Sequence, residues 1–237
     1  ENTVSGRNEI IDGHLARIST HGLVYTEVLG WIDLGHAQGD DIRNILRQMS
    51  AGESSNSKRN LGDYYDVKYS QGMLGMKRKV SISRMIKWRI KRGRHLHERY
   101  SIALAMMMRV ARQFESMQAS FPFNLVTDSG FSGEDLVSDL LGFYRVVSIP
   151  SPFEILRPVS KEEALKRWDY YGPIGSYKNE SFLPLLFPDP EKFRNSKPRL
   201  GYLPSFMQTV IPYNNFKSGN VGIASQDGVE VDTHFLG

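Results

Sequence analysis

The sequence has no cysteine. Disulfides, thiolate zinc sites, iron–sulfur clusters and a cysteine nucleophile are therefore excluded. No apolar run approaches the ~18–20 residues that a bilayer-spanning helix needs. The phosphate-cradling patterns GxxxxGK[ST] and GxGxxG are missing, as are GxSxG and HExxH, and no internal repeat is found. Proline is scarce at first and then frequent: ten of eleven prolines, with thirteen aromatics, lie in residues 150–237.

What is present is globular in composition, with 40% hydrophobic and 24% charged residues over 237 positions. Charge is unevenly spread. Residues 1–53 carry four basic and eight acidic side chains, whereas residues 77–99 carry ten basic ones against Glu98. That stretch, Lys87 and Arg89 included, accounts for the whole positive excess. It reads either as a solvated strand face or as a surface for anionic partners such as nucleic acid, lipid headgroups or wall polymers. Trp88 and Tyr100 are the aromatics near it, which is thin support for base stacking.

Periodicity predicts the elements. Residues 23–49 read as a helix, with Val24, Val28, Trp31, Ile42, Ile45, Leu46 and Met49 on one arc and Asp33, His36 and Asp40 opposite. Gly30, Gly35 and Gly39 cost such a helix about 1 kcal/mol each relative to Ala and call for close packing, a bend or ligand access. A polar loop is expected over 50–62. Tyr65, Val67 and Tyr69 alternate, as do Val80, Ile82, Ile86, Trp88 and Ile90, which predicts an antiparallel hairpin with a basic outer face and a bulge near Arg84 and Met85. Helices are expected at 95–119, at 133–147 behind a Ser132–Asp135 capping pair, and at 161–171 behind Ser160 and Glu163. The fold class is α+β: a mainly helical core with a small antiparallel sheet (10–149) and a loop-rich C-terminal half (150–237) wrapping it, together one domain over 1–237.

Two groups could carry chemistry. On a helix Asp33 would reach the His36 ring, fix its tautomer and raise its basicity, which is half of a general-base device. Asp33, His36 and Asp40 could equally bind a divalent metal such as zinc, with Glu115 or Glu134 arriving from other helices. The plain alternative is an exposed polar helix face. Glu115 falls at the border of an apolar arc, where partial desolvation would raise its pKa.

Residues 22–36, GLVYTEVLGWIDLGH, and 131–142, FSGEDLVSDLLG, resemble two motifs of an uncharacterised bacterial family, domain of unknown function 4056. The resemblance spans about residues 22–145. It implies site positions at Tyr25, Thr26, Asp33, His36, Glu115, Ser132, Glu134, Asp135 and Ser138, and an association with bacterial exported proteins. The chain departs from the family pattern twice: Glu27 stands where the family has Cys, and Asp139 where it has Asn.

These readings lead to a hydrolase of the bacterial cell envelope, acting on peptidoglycan or a lipid-linked precursor, as an exported antibacterial toxin or effector would. His36, Asp33, Glu115 and Glu134 would be catalytic. Tyr25, Thr26, Ser132, Asp135, Lys87 and Arg89 would bind substrate. The competing reading is a non-enzymatic module that binds an anionic surface or nucleic acid through residues 77–99. Because the chain begins at Glu1 and lacks cysteine, the expected location is periplasmic or extracellular.

Overall fold

The computed structural model describes residues 5–54, 62–75, 80–118, 132–149 and 151–232, with backbone alone for 71–75, 80–84, 112–118 and 225–232. In chain order the elements are β1 (Leu23–Thr26), β2 (Gly30–Asp33), α1 (Asp40–Ser54), β3 (Tyr64–Gly75), β4 (Val80–Lys91), α2 (Leu96–Gln118), α3 (Asp135–Val147), α4 (Pro152–Leu156), α5 (Lys161–Tyr171), β5 (Leu185–Leu186), β6 (Arg199–Leu200) and β7 (Val221–Asp232), with short 3-10 turns between them. The class is α+β. The chain divides into two compact units, each assembled from separated segments: Asn2–Gly39 with Asp128–Thr209, and Asp40–Thr127 with Val210–Gly237. The segment after residue 149 is thus shared between the units, where the sequence suggests one domain wrapped by its C-terminal half.

The first unit corrects the helix expected over 23–49. Residues 23–33 form a β-hairpin instead, pairing Leu23 with Asp33, Val24 with Ile32, Tyr25 with Trp31 and Thr26 with Gly30. Helix begins only at Asp40. Two features override the helical period. Gly30 (φ +72°) and Gly39 (φ +75°) take left-handed conformations that a helix interior does not use. β1 is also buried on both faces, so its side chains show no alternation that would betray a strand. At the bend the Thr26 hydroxyl accepts from Leu29 N (3.0 Å) and donates to Gly30 O (3.2 Å).

The sheet of this unit is mixed, in the order β1-β2-β5-β6, with β5 parallel to β2 and β6 antiparallel to β5. Its core gathers Ile10, Leu23, Tyr25, Trp31, Ala164, Trp168, Ile174 and Phe187. Trp31 stands edge-on to Tyr25 (5.2 Å) and to Trp168 (5.8 Å). α5 begins where the sequence places it, the Ser160 hydroxyl accepting from Glu163 N. α3 lies along residues 33–39, and Arg145 donates to Ala37 O at 2.7 Å.

The second unit is a three-stranded antiparallel sheet, β3-β4-β7, with α1 and α2 packed on it. Tyr65, Val67 and Tyr69 stand opposite Ile90, Trp88 and Ile86, and all six are buried. α1 packs on β3 and α2, and α2 on β3 and β4; Ile42, Ile45 and Met49 of α1 and Ile102, Met106 and Val110 of α2 are buried. The β3–β4 ladder runs without a break through Arg84 and Met85. The irregularity lies on the other edge of β4, toward β7, between Met85 and Trp88. Strand β7 is not anticipated from sequence, because two glycines and the polar run Ser225-Gln226-Asp227 divide the alternating pairs Val221, Ile223 and Val229, Val231. No described helix is long and apolar enough to cross a membrane.

Candidate functional site

The strongest constellation lies in the first unit, where the start of α3 faces the end of β2 and the 3-10 turn His36–Gln38. Asp135, Ser138, Asp139, Gly142 and Arg145 recur at helical spacing and so form one stripe along α3. Gly142 permits the close approach: a Cβ there would meet Gly39 N and His36 O, each at 3.2 Å. A Cβ on Gly39 would fall 2.4 Å from Gly142 O. The Ser138 hydroxyl accepts from Asp33 N at 3.0 Å and ties the end of β2 to the helix.

His36 is the accessible member, its side chain 42% exposed. Its Nδ1 pairs with Asp139 Oδ1 at 3.2 Å. The expected Asp33–His36 hydrogen bond does not form, because Asp33 and His36 are not on one helix. Asp33 Oδ1 instead accepts from Gly35 N at 2.7 Å and shapes the turn. Desolvation of the ring works against its charge, but the hydrogen bond to Asp139 and the charges of Asp139, Asp135 and Asp33 prevail. They hold the His36 pKa well above its usual value. Among the described residues, Nε2 of His36 has no hydrogen-bond partner.

Two more carboxyl groups stand at the start of α3. Glu134 is 1% exposed. It accepts from the Ser132 hydroxyl and is also hydrogen-bonded to Ser5. Burial raises its pKa, with the Asp33 charge adding to the rise. Asp135 accepts from Ser132 N at 3.0 Å. Burial and the neighbouring Glu134 push its pKa up to about 7, against the lowering pull of His36. One imidazole among Asp33, Glu134, Asp135 and Asp139 thus leaves protons to be shared near neutral pH.

The structure therefore brings Asp33, His36, Ser132, Glu134, Asp135 and Ser138 together, and adds Asp139. Asp139 could have been found from sequence: it stands four residues after Asp135, on the same helix face. Glu134 is not an accessible acid, since it is sealed beneath Ser132. Ser132 is buried too, pinned by a bridge to Lys178, so it supports the site rather than contacting substrate.

Other expected positions fall elsewhere. Tyr25 is a core residue: its hydroxyl donates to Phe187 O and accepts from Phe187 N, both at 2.8 Å, and Arg167 covers its ring at 4.5 Å. Thr26 is wholly buried as the hairpin's internal cap. Asp40 pairs with Arg43 at 2.8 Å. Among the described residues no three His, Asp or Glu side chains gather as metal ligands would. The Glu115 side chain lies outside the described residues.

Lys87 and Arg89 are also not a free anion site. Both pair with Asp66, at 3.2 and 2.9 Å. Arg89 foremost holds the Asp66 carboxyl below its usual range. Arg94 pairs with Glu98 at 2.9 Å, and Arg92 donates to the carbonyls of Gly52 and Gly62. Much of the basic stretch is thus spent within its own unit. Lys77, Arg78 and Lys79 lie outside the described residues.

Comparison with protein-family models, with curated proteins and with solved structures gave no match to this chain.

Proposed function

We propose that the chain is a hydrolase of the bacterial cell envelope, with peptidoglycan or its lipid-linked precursors as the substrate class. The observation that carries the reading is the half-exposed His36 ring, held at Nδ1 by Asp139 beside Asp135. A His36 pKa held above its usual value by Asp139 favours the imidazolium, so its role is that of general acid rather than the general base expected from sequence. Asp135, titrating near 7, is the matching base.

In this reaction a water molecule attacks the electrophilic centre of the substrate. Its proton passes to the Asp135 carboxylate, and Nε2 of His36 protonates the leaving oxygen or nitrogen as that bond breaks. One water is consumed, and proton exchange with solvent resets both groups. Asp33 and Asp139 keep the imidazolium charged, while Glu134 and Ser132 fix the first turn of α3. The substrate class is supported by the two motifs, which resemble a family found among bacterial exported proteins.

The test is release of soluble fragments from purified peptidoglycan, and cleavage of the lipid-linked precursor, by wild type and His36→Ala. Loss of one general acid predicts a fall of about 10²–10⁴-fold, with the melting temperature nearly unchanged because the ring is half exposed. Full activity in His36→Ala, or an inactive wild type on both substrates, overturns the proposal.

A further inference from the structure

In the first unit the stretch from Phe193 to Tyr202, which includes edge strand β6, combines two properties. Three large apolar side chains stand in solvent: Phe193 at 57%, Leu200 at 54% and Tyr202 at 90% exposure. Three cations, Arg194, Lys197 and Arg199, are interspersed with them and exposed. The nearby acids are already engaged. Asp189 pairs with Lys192 and accepts from Glu191 N, and Glu191 pairs with Lys166. Among the described residues Arg194, Lys197 and Arg199 make no ion pair, in contrast to Lys87 and Arg89 on β4.

The backbone that presents these side chains is fixed. Asn195 adopts a left-handed conformation (φ +63°) within a turn closed by bonds from Phe193 N to Asp189 O and from Ser196 N to Phe193 O. Gly201 N donates to Pro184 O and extends the pairing of β6 with β5. β6 has a neighbour on one side only, so this stretch forms the outer margin of the sheet.

We infer that this margin is a docking surface for an anionic lipid bilayer. Phe, Leu and Tyr side chains seat at the headgroup–acyl boundary, and interspersed Arg and Lys meet the negative headgroups. The apolar members distinguish a bilayer from nucleic acid, since neither Phe193 nor Leu200 gains from a phosphate backbone. The surface is independent of the acid–base site and stands whether or not that site is catalytic.

The full chain is to be tested by co-sedimentation with vesicles of equal parts phosphatidylglycerol and phosphatidylcholine, with phosphatidylcholine vesicles and a DNA oligonucleotide as comparisons. Binding is expected to the anionic vesicles alone. The triple variant Arg194→Gln, Lys197→Gln, Arg199→Gln should weaken it roughly hundredfold. The variant Phe193→Ser, Leu200→Ser, Tyr202→Ser should abolish it. All six positions are exposed, so circular dichroism should be unaltered. In Tyr202→Trp, indole emission should shift to the blue on adding anionic vesicles. Failure to bind anionic vesicles, binding that survives both triple variants, or equal binding to the oligonucleotide without a blue shift each overturns the inference.

Discussion

The local balance of charge around His36 decides what that residue can do. A lone exposed histidine titrates near 6.5 and is mostly neutral at physiological pH. Here Asp139 supplies both a hydrogen bond and a full negative charge. An Asn at that position could accept the same hydrogen bond but would bring no charge. The Asp139 carboxylate, joined by the charges of Asp135 and Asp33, is thus what holds the ring above its ordinary value. His36 itself was legible in the sequence, through the glycine-flanked Ile-Asp-Leu-Gly-His string. Its pairing was not: the sequence offers Asp139 as a member of the Asp135 helix face, but only tertiary packing brings it, rather than Asp33, to the ring. Asp135→Asn should suppress turnover, since an amide cannot accept the proton, yet it keeps an oxygen for Ser132 N and should leave the fold intact. Steady-state kinetics on whichever envelope substrate the wild type cleaves would check this; unaltered kcat would remove Asp135 from the mechanism.

Among the elements, the β1–β2 hairpin shows where periodicity misleads. Buried on both faces, β1 offers no alternation, and its apolar residues fall by chance into a helical arc. The glycines were the available signal, and they mark a bend and a close approach rather than a weakened helix. Gly30 meets both demands: φ is +72°, and a Cβ would fall 2.1 Å from the backbone carbonyl of Leu185. Gly30→Ala should therefore destabilise by about 2–4 kcal/mol, combining backbone strain with overpacking. Chemical denaturation would measure this, and a cost below that of an ordinary surface substitution would contradict the role given to Gly30. By contrast, α5 was readable to the residue because its start is encoded locally. Ser160→Ala should cost about 1 kcal/mol, the usual value of an N-cap. Strands β5 and β6 are only two residues long, and no sequence pattern of that length specifies a strand.

For the molecule as a whole, the fold class was legible and the segmental composition of the units was not. Interleaving of distant segments leaves no mark in composition, whereas the change of texture at residue 149 does mark the loop-rich stretch of short elements that follows it. The acid–base cluster gives the whole chain a distinctive pH dependence. Between the ordinary carboxyl value of 3.8 and about 7, folded Asp135 retains a proton that the unfolded chain has lost. Stability contributed at that site therefore falls as pH rises through this window. His36 acts in the same direction: its pairing contributes fully below its ordinary 6.5 and is lost as pH climbs through the higher folded value. Asp135→Asn mimics the protonated carboxyl. Its melting temperature should match wild type near about pH 4 and exceed it increasingly toward about pH 7. A constant difference across that range would contradict the raised Asp135 pKa.

The central claim is that Asp139 and its neighbouring carboxylates turn His36 into an imidazolium acid at neutral pH. It is tested most directly by following the His36 ring resonances against pH by NMR, in wild type and in Asp139→Asn. The expected result is a wild-type midpoint above 6.5, a second inflection near 7 from Asp135, and a lower midpoint in Asp139→Asn. A wild-type midpoint at or below 6.5, unmoved by the substitution, would contradict it.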